Sequence, residues 1–282
     1  MKLKMFFLFI IFIFFSYNLI SDETDDGSRK IEEILLYGIE SEIIAVLKEI
    51  GNEPKEEIYS TLFSRYKDSI LVDTKISFVD YFSNVKNLPP YLLDALYNDA
   101  SSDLIERRLK SSLLNCLGKK GALREGLFLL ASLDNYDNYI KNIASDAIAK
   151  MKLPELGKPL LDRIILSDED ENKYLNNDIK TKLIPFFGEN KTIEAVPYLK
   201  KIVESNDSDK YLKNFSMVAL LKIGDLASIE IIAENLKDTD NKIQEYAAYS
   251  LSLFKDPAVL PHLKRMLLHN NENVRVFAIQ GI

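Results

Sequence analysis

The chain has 282 residues, of which 47% are hydrophobic and 28% charged, with a formal net charge of -7. An acidic body repels phosphate backbones, and the paired lysines Lys119–Lys120 and Lys200–Lys201 read as isolated solvated helix ends, so nucleic acid is not expected as a partner. Cys116 is the only cysteine, which excludes an intramolecular disulfide; its setting among Leu113, Leu114 and Leu117 is that of a small core filler.

Lys2 and Lys4 precede an unbroken apolar run from Met5 to Phe15, followed by a polar exit ending at Ser21 and then Asp22, Glu23, Asp25 and Asp26. A positive start, a short hydrophobic middle and a polar exit form the order of a secretory signal peptide. The run is shorter than the ~20 residues of a spanning helix. Residues 1–21 are therefore read as a cleaved leader, in preference to an anchor retained through residues 5–20. Residues 22–30 read as an acidic linker. The expected location is outside the cytoplasm, periplasmic or secreted, and membrane association is expected only if the leader stays on.

From residue 31 onward the chain repeats itself. Apolar helical patterns stop at Gly51, Asn87, Gly118, Lys152, Gly188, Gly224 and Lys255, at spacings of 36, 31, 34, 36, 36 and 31 residues. Glycine suits such a stop because a left-handed residue often closes a helix. Four residues before each stop lie Leu47, Ser83, Leu114, Ile148, Ile184, Leu220 and Leu251; one residue before lie Ile50, Lys86, Leu117, Met151, Phe187, Ile223 and Phe254. Two columns three residues apart share one helix face, and both are apolar in every copy except the one stopping at Asn87. A third position, five before the stop, is small in Ala147, Ala219 and Ser250, which suits a close helix approach.

After each stop a further apolar helix begins, with Pro90, Pro159, Pro197 and Pro261 near its start, where the missing N–H costs nothing. The clearest copy runs from Glu194 to Gly224: Val196, Leu199, Ile202 and Val203, then a polar hinge, then Phe215, Val218, Ala219, Leu220 and Ile223. Each unit is a helical hairpin with two apolar faces and too little core to stand alone, so stacking is required. The expected fold is all-α, an α-solenoid of about seven antiparallel hairpins over 31–282, with the first part degenerate. The stretch from Ser69 to Asn87 is the least regular, and Pro185 is expected to kink or shorten the helix that stops at Gly188. The last unit reaches Ile282 on an apolar face, which leads us to expect that the native chain continues.

The segments Ala195-Val196-Pro197-Tyr198-Leu199, Ala247-Ala248-Tyr249-Ser250-Leu251, Val259-Leu260-Pro261-His262-Leu263 and Asn273-Val274-Arg275-Val276-Phe277-Ala278 resemble the short HEAT repeats of the type named after the phycobilisome lyases. The resemblance covers residues 194–282 and fits better than the tetratricopeptide or ankyrin patterns, whose signatures are missing. In that family a hinge Asp and an Arg opening the second helix form a ladder along the stack. Arg275 fits the Arg position, while Lys213 and Gln244 stand at its earlier equivalents, so the ladder is expected to be partial. The resemblance implies a scaffold that holds a protein or peptide on the concave face formed by the second helices. Carried onto this chain, that groove involves exposed positions near Lys180, Lys213, Tyr246 and Arg275, with Tyr211 and Tyr249 as further candidates.

No catalytic residue, metal site or cofactor is expected. His262 and His269 have no cysteine or carboxylate at ligand spacing, and a structural role suits them best. The acidic hinge from Asp168 imitates the start of a calcium loop but has Lys173 where glycine is needed and Ile179 where a bidentate Glu is needed. The hinge from Asp134 to Asn138 reads the same way. Phosphate-loop and nucleophile-elbow signatures are missing too. The family name leaves a chromophore-lyase-like enzyme as the alternative to a scaffold, while a HEAT-fold DNA glycosylase is opposed by the charge and the leader.

Overall fold

The computed structural model describes residues 27–282 apart from 28, 52–55, 103 and 171–174. The leader and most of the acidic linker lie outside the described residues. Among the described residues there is no strand, and no helix is long and apolar enough to cross a membrane. The chain divides into two compact units, the first ending at Cys116 and the second beginning at Leu117.

In the first unit, α1 covers 29–37, followed by α2 (Glu40–Ile50), α3 (Tyr59–Asp68), α4 (Val72–Asn84), α5 (Pro90–Ala100) and the opening of α6 (Arg107–Lys120). The second helices stack, α2 on α4, and α3 folds back on α4. Within the stretch expected to be irregular, residues 72–84 form the unbroken helix α4. Its copy escapes the apolar columns only because its stop is one residue earlier than Asn87. Counted from Lys86, the two columns fall on Phe82 and Val85, both fully buried. Phe82 stacks on Phe78, and both meet the edge of Tyr66, whose hydroxyl donates to Asp99 at 2.6 Å. Burying each such ring contributes roughly 1.5–3 kcal/mol, and aromatic pairs place their rings edge to face as here.

The second unit contains α7 (Leu123–Ser132), α8 (Asn138–Ala149), α9 (Gly157–Glu169), α10 (Asn177–Glu189), α11 (Val196–Glu204), α12 (Lys210–Ile223), α13 (Ser228–Glu234), α14 (Asn241–Leu253), α15 (Leu260–Met266) and α16 (Glu272–Gly281). Odd and even helices form hairpins. Packing then runs from α8 to α10, α12, α14 and α16 in succession, and from α7 to α9 and α11 to α13 in the other layer. Ile148, Ile184, Leu220 and Leu251 are fully buried, each between successive layers rather than in one common centre. Ile223 is the exception in the neighbouring column and is half-buried.

Two of the glycine stops have another cause. Gly224 does close α12, with φ of 88° and its N–H donated to Leu220 and Leu221. Gly118 and Gly188 instead lie inside α6 and α10. A Cβ on Gly118 would stand 2.8 Å from the Cβ of Ala147, and one on Gly188 would stand 2.9 Å from the Cα of Ala219. Gly281 meets the Cα of Ser252 at 2.9 Å in the same way. Both partners are small at each of these joints, with the twelfth residue of one second helix against the tenth of the next. The small column read from Ala147 and Ala219 is therefore half of a two-sided device for close packing. Pro185 does not shorten α10, which continues through it to Glu189.

Candidate interaction surface

Each hinge in the second unit ends in a capping side chain. Asp137, Asn176, Asp209, Asp240 and Asn271 each accept hydrogen bonds from backbone N–H groups in the first turn of the following helix. From α4 onward the fourth residue of each second helix is a lysine, glutamine or arginine, and from α10 onward it anchors a hinge. In chain order these residues are Lys75, Lys110, Lys141, Lys180, Lys213, Gln244 and Arg275. Lys75 lies over the ring of Tyr66, 5.3 Å from its centroid, and Lys110 reaches the Ser102 carbonyl at 3.4 Å.

Lys180 pairs with Asp168, which also accepts the Tyr198 hydroxyl at 2.8 Å. Lys213 reaches Asn235 at 3.3 Å and Asp238 at 3.7 Å; Gln244 donates to the Asp238 carbonyl at 2.6 Å. Arg275 donates to the carbonyls of His269 and Asn270 at 2.7 and 2.9 Å. From Lys180 to Arg275 every rung is thus filled, with lysine and glutamine standing in for arginine on all but the last. A buried cation costs several kcal/mol unless paired, and hinge carboxylates and carbonyls supply that pairing.

This geometry corrects the picture of an exposed groove at Lys180 and Lys213, since both are buried and committed to the hinges. Tyr246 and Arg275 are half-buried. Asp168 is likewise engaged, by Lys180 and Tyr198, while Lys173 of the calcium-like stretch lies outside the described residues. Among the described residues, no cluster of His, Cys, Asp or Glu could hold a metal ion. Cys116 is buried, as a core filler should be. Burial and then the adjacent Asp168 carboxylate push the Tyr198 phenol well above its ordinary range. At Asp225 burial alone would raise the carboxyl, but hydrogen bonds from Lys200 and Ser228 outweigh it and hold the group below its ordinary range.

The sixth residue of the second helices changes character along the unit. In α10 it is Lys182, which crosses to Asn142 and Asp146 of α8 at 3.0 and 3.1 Å. In α12, α14 and α16 it is Phe215, Tyr246 and Phe277, all half-buried. Tyr211 and Tyr249 flank this row and are 50% and 42% exposed. Tyr249 meets Phe277 edge to face at 5.6 Å. Sequence reading finds Tyr211, Tyr246 and Tyr249 but passes over Phe215 and Phe277, whose shared sixth position is the signal that identifies them. The two histidines lie elsewhere, in a cavity of about 700 Å³ between the last two hairpins.

A chain built of hairpins stacked through their second helices, with paired cations in the hinges, defines an α-helical repeat protein. Residues 188–282 match the family of HEAT repeats, and this third of the chain is a run of HEAT repeats. No curated protein matches the chain. Among solved structures it is similar to an engineered protein at 15% identity and a TM-score of 0.46, covering 89% of this chain and 76% of that one. It is also similar to a mutant of Kap121p at 12% identity and a TM-score of 0.49, covering 89% of this chain and 32% of that one. The chain therefore spans about a third of Kap121p.

Proposed function

We propose that the chain is an exported, non-enzymatic scaffold that holds a protein or peptide along the second helices of its last three hairpins. The observation that carries this reading is the aromatic row Phe215, Tyr246 and Phe277 with Tyr211 and Tyr249 beside it. Tyrosine and phenylalanine on rigid helices offer large contact area at little conformational cost, the usual makeup of a binding hot spot. The hinge cations are already paired internally, so apolar and aromatic contact dominates the offered surface. Both histidines and Asp168 are committed to structural bonds, which supports binding rather than reaction.

The full chain, tagged at its C-terminus, is expected to recover a stoichiometric protein partner from envelope extract. The double variant Tyr211→Ala/Tyr249→Ala should lose that partner with an unchanged far-UV circular dichroism spectrum. Recovery at equal yield by the variant would remove the aromatic row from the account. Export rests on Lys2, Lys4 and the apolar run to Phe15. Mass spectrometry of the mature N-terminus tests it, and a start at Met1 in the membrane fraction would replace the cleaved leader by an anchor.

A further inference from the structure

The chain's two histidines line the same cavity, and their hydrogen-bond partners determine where their protons sit. His269 Nδ1 faces the Asn271 N–H at 3.1 Å, and its Nε2 faces the Leu236 carbonyl at 3.0 Å. An amide only donates and a carbonyl only accepts, so the ring is neutral with its proton on Nε2. His262 Nδ1 faces the Arg265 guanidinium at 2.7 Å, and its Nε2 faces Glu230 at 3.0 Å, which gives the same tautomer.

The position of His269 has equivalents. In the hinge before α8, Asn135 accepts the Asp137 N–H at 2.8 Å, and in the hinge before α14, Asp238 accepts the Asp240 N–H at 2.9 Å. Each is the residue two before the cap, and its side chain closes the turn that presents the cap. In the last hinge a titratable ring fills this slot. Like Asp238, which meets Lys213 of the preceding hairpin, it also reaches back, its Nε2–H strapping the hinge to the Leu236 carbonyl.

The geometry points to His269 as a pH-sensitive clasp that holds the last hairpin to its neighbour. A second proton has only Nδ1 to occupy, and there it points at the Asn271 N–H, donor against donor. The bond that orders the cap of α16 is lost, and the turn carrying the strap to Leu236 loosens. The charged groups around the two rings are Glu230, Glu234 and Lys237 from α13 and its extension, Glu245 from α14, Arg265 beside His262, and Glu272 and Arg275 from α16. At His262 the Glu230 carboxylate favours a charged ring and Arg265 opposes it. At His269 both direct partners are backbone groups, so the lost bond has no carboxylate in its place. Acidification therefore acts on the last hinge and opens the cavity between the two hairpins.

Amide hydrogen exchange of the full chain, expressed as protection factors to remove the intrinsic pH dependence, tests this directly. Between pH 7.5 and 5.5 the protection of the Asn271 amide is expected to fall about tenfold, the weight of one hydrogen bond. The Asp137 amide, whose acceptor Asn135 does not titrate, should keep its protection and serves as a control within the same molecule. The variant His269→Asn copies the Asn135 hinge and should hold the Asn271 amide equally at both pH values. Unchanged protection at Asn271 in the native chain, or an equal fall at Asp137, would overturn the clasp, as would an undiminished fall in His269→Asn.

Discussion

Gly118 provides the sharpest check on how the hairpins pack. Replacing a helix-interior glycine with alanine ordinarily gains about 1 kcal/mol. Here the new Cβ would meet the Ala147 Cβ at 2.8 Å and its Cα at 3.2 Å, against about 3.5–4.0 Å for relaxed carbon neighbours. The two helices must part by several tenths of an ångström, and overpacking of this kind costs about 1–3 kcal/mol. Gly118→Ala should therefore be neutral to destabilising by about 2 kcal/mol, reversing the sign of the propensity effect. Ala147→Gly alone should cost about 2 kcal/mol, from lost propensity and one unburied methyl. Combined, the two changes exchange the small residues across the joint and relieve its tightest methyl-to-methyl approach. The double variant should then be more stable than the sum of the singles by about 1–2 kcal/mol, not more, because the main chain at residue 147 still crowds the new methyl. Urea unfolding of all four proteins, followed by circular dichroism, measures the coupling. Additivity within about 0.5 kcal/mol would mean that the glycine is not there for close approach.

Lys213→Ala should cost about 2–4 kcal/mol by leaving Asp238 without its buried partner, whereas Lys213→Arg should retain most of the stability; equal losses in thermal unfolding would count against the ladder. Tyr198→Phe should cost about 1 kcal/mol through the lost bond to Asp168. The Tyr198 phenol binds its proton more tightly folded than unfolded, so it stabilises the fold below the ordinary tyrosine range and that contribution is lost as pH rises above it. An alkaline titration of tyrosinate absorbance should accordingly show one fewer late-titrating phenol in Tyr198→Phe. Asp225 has the opposite sign: its carboxyl is held low, so its contribution is present above the ordinary carboxylate range and fades as pH falls below it. Melting temperatures between pH 5 and pH 3 should therefore drop less steeply in Asp225→Asn than in the native chain.

The apolar columns were legible from residue types alone, because a helix that buries one face on the next layer must place its large side chains three and four residues apart. Leu47, Leu114, Ile148, Ile184, Leu220 and Leu251 needed no coordinates. The helix-start prolines were legible for an equally local reason. Where the sequence misled, a local rule had two physical causes with the same appearance. A glycine near a helix end suits a left-handed turn or a close neighbour, and only the position of Ala147 or Ala219 tells which. The register slip at Asn87 arose because an irregular count between stops hides Phe82 and Val85 one place away.

The surface was less legible than the core. Lys180 and Lys213 look like solvated charges in one dimension, and their burial depends on Asp168, Asn235 and Asp238, twelve to twenty-five residues away in sequence. The alignment of Phe215, Tyr246 and Phe277 follows from helix starts that the sequence marks only to within a residue or two. Periodicity alone determined that this chain is a stack of helical hairpins, because each unit buries its faces only on its neighbours. Tertiary structure decided which polar residues are consumed in making the stack and which side chains remain to meet a partner, because burial and pairing depend on what lies across the layer.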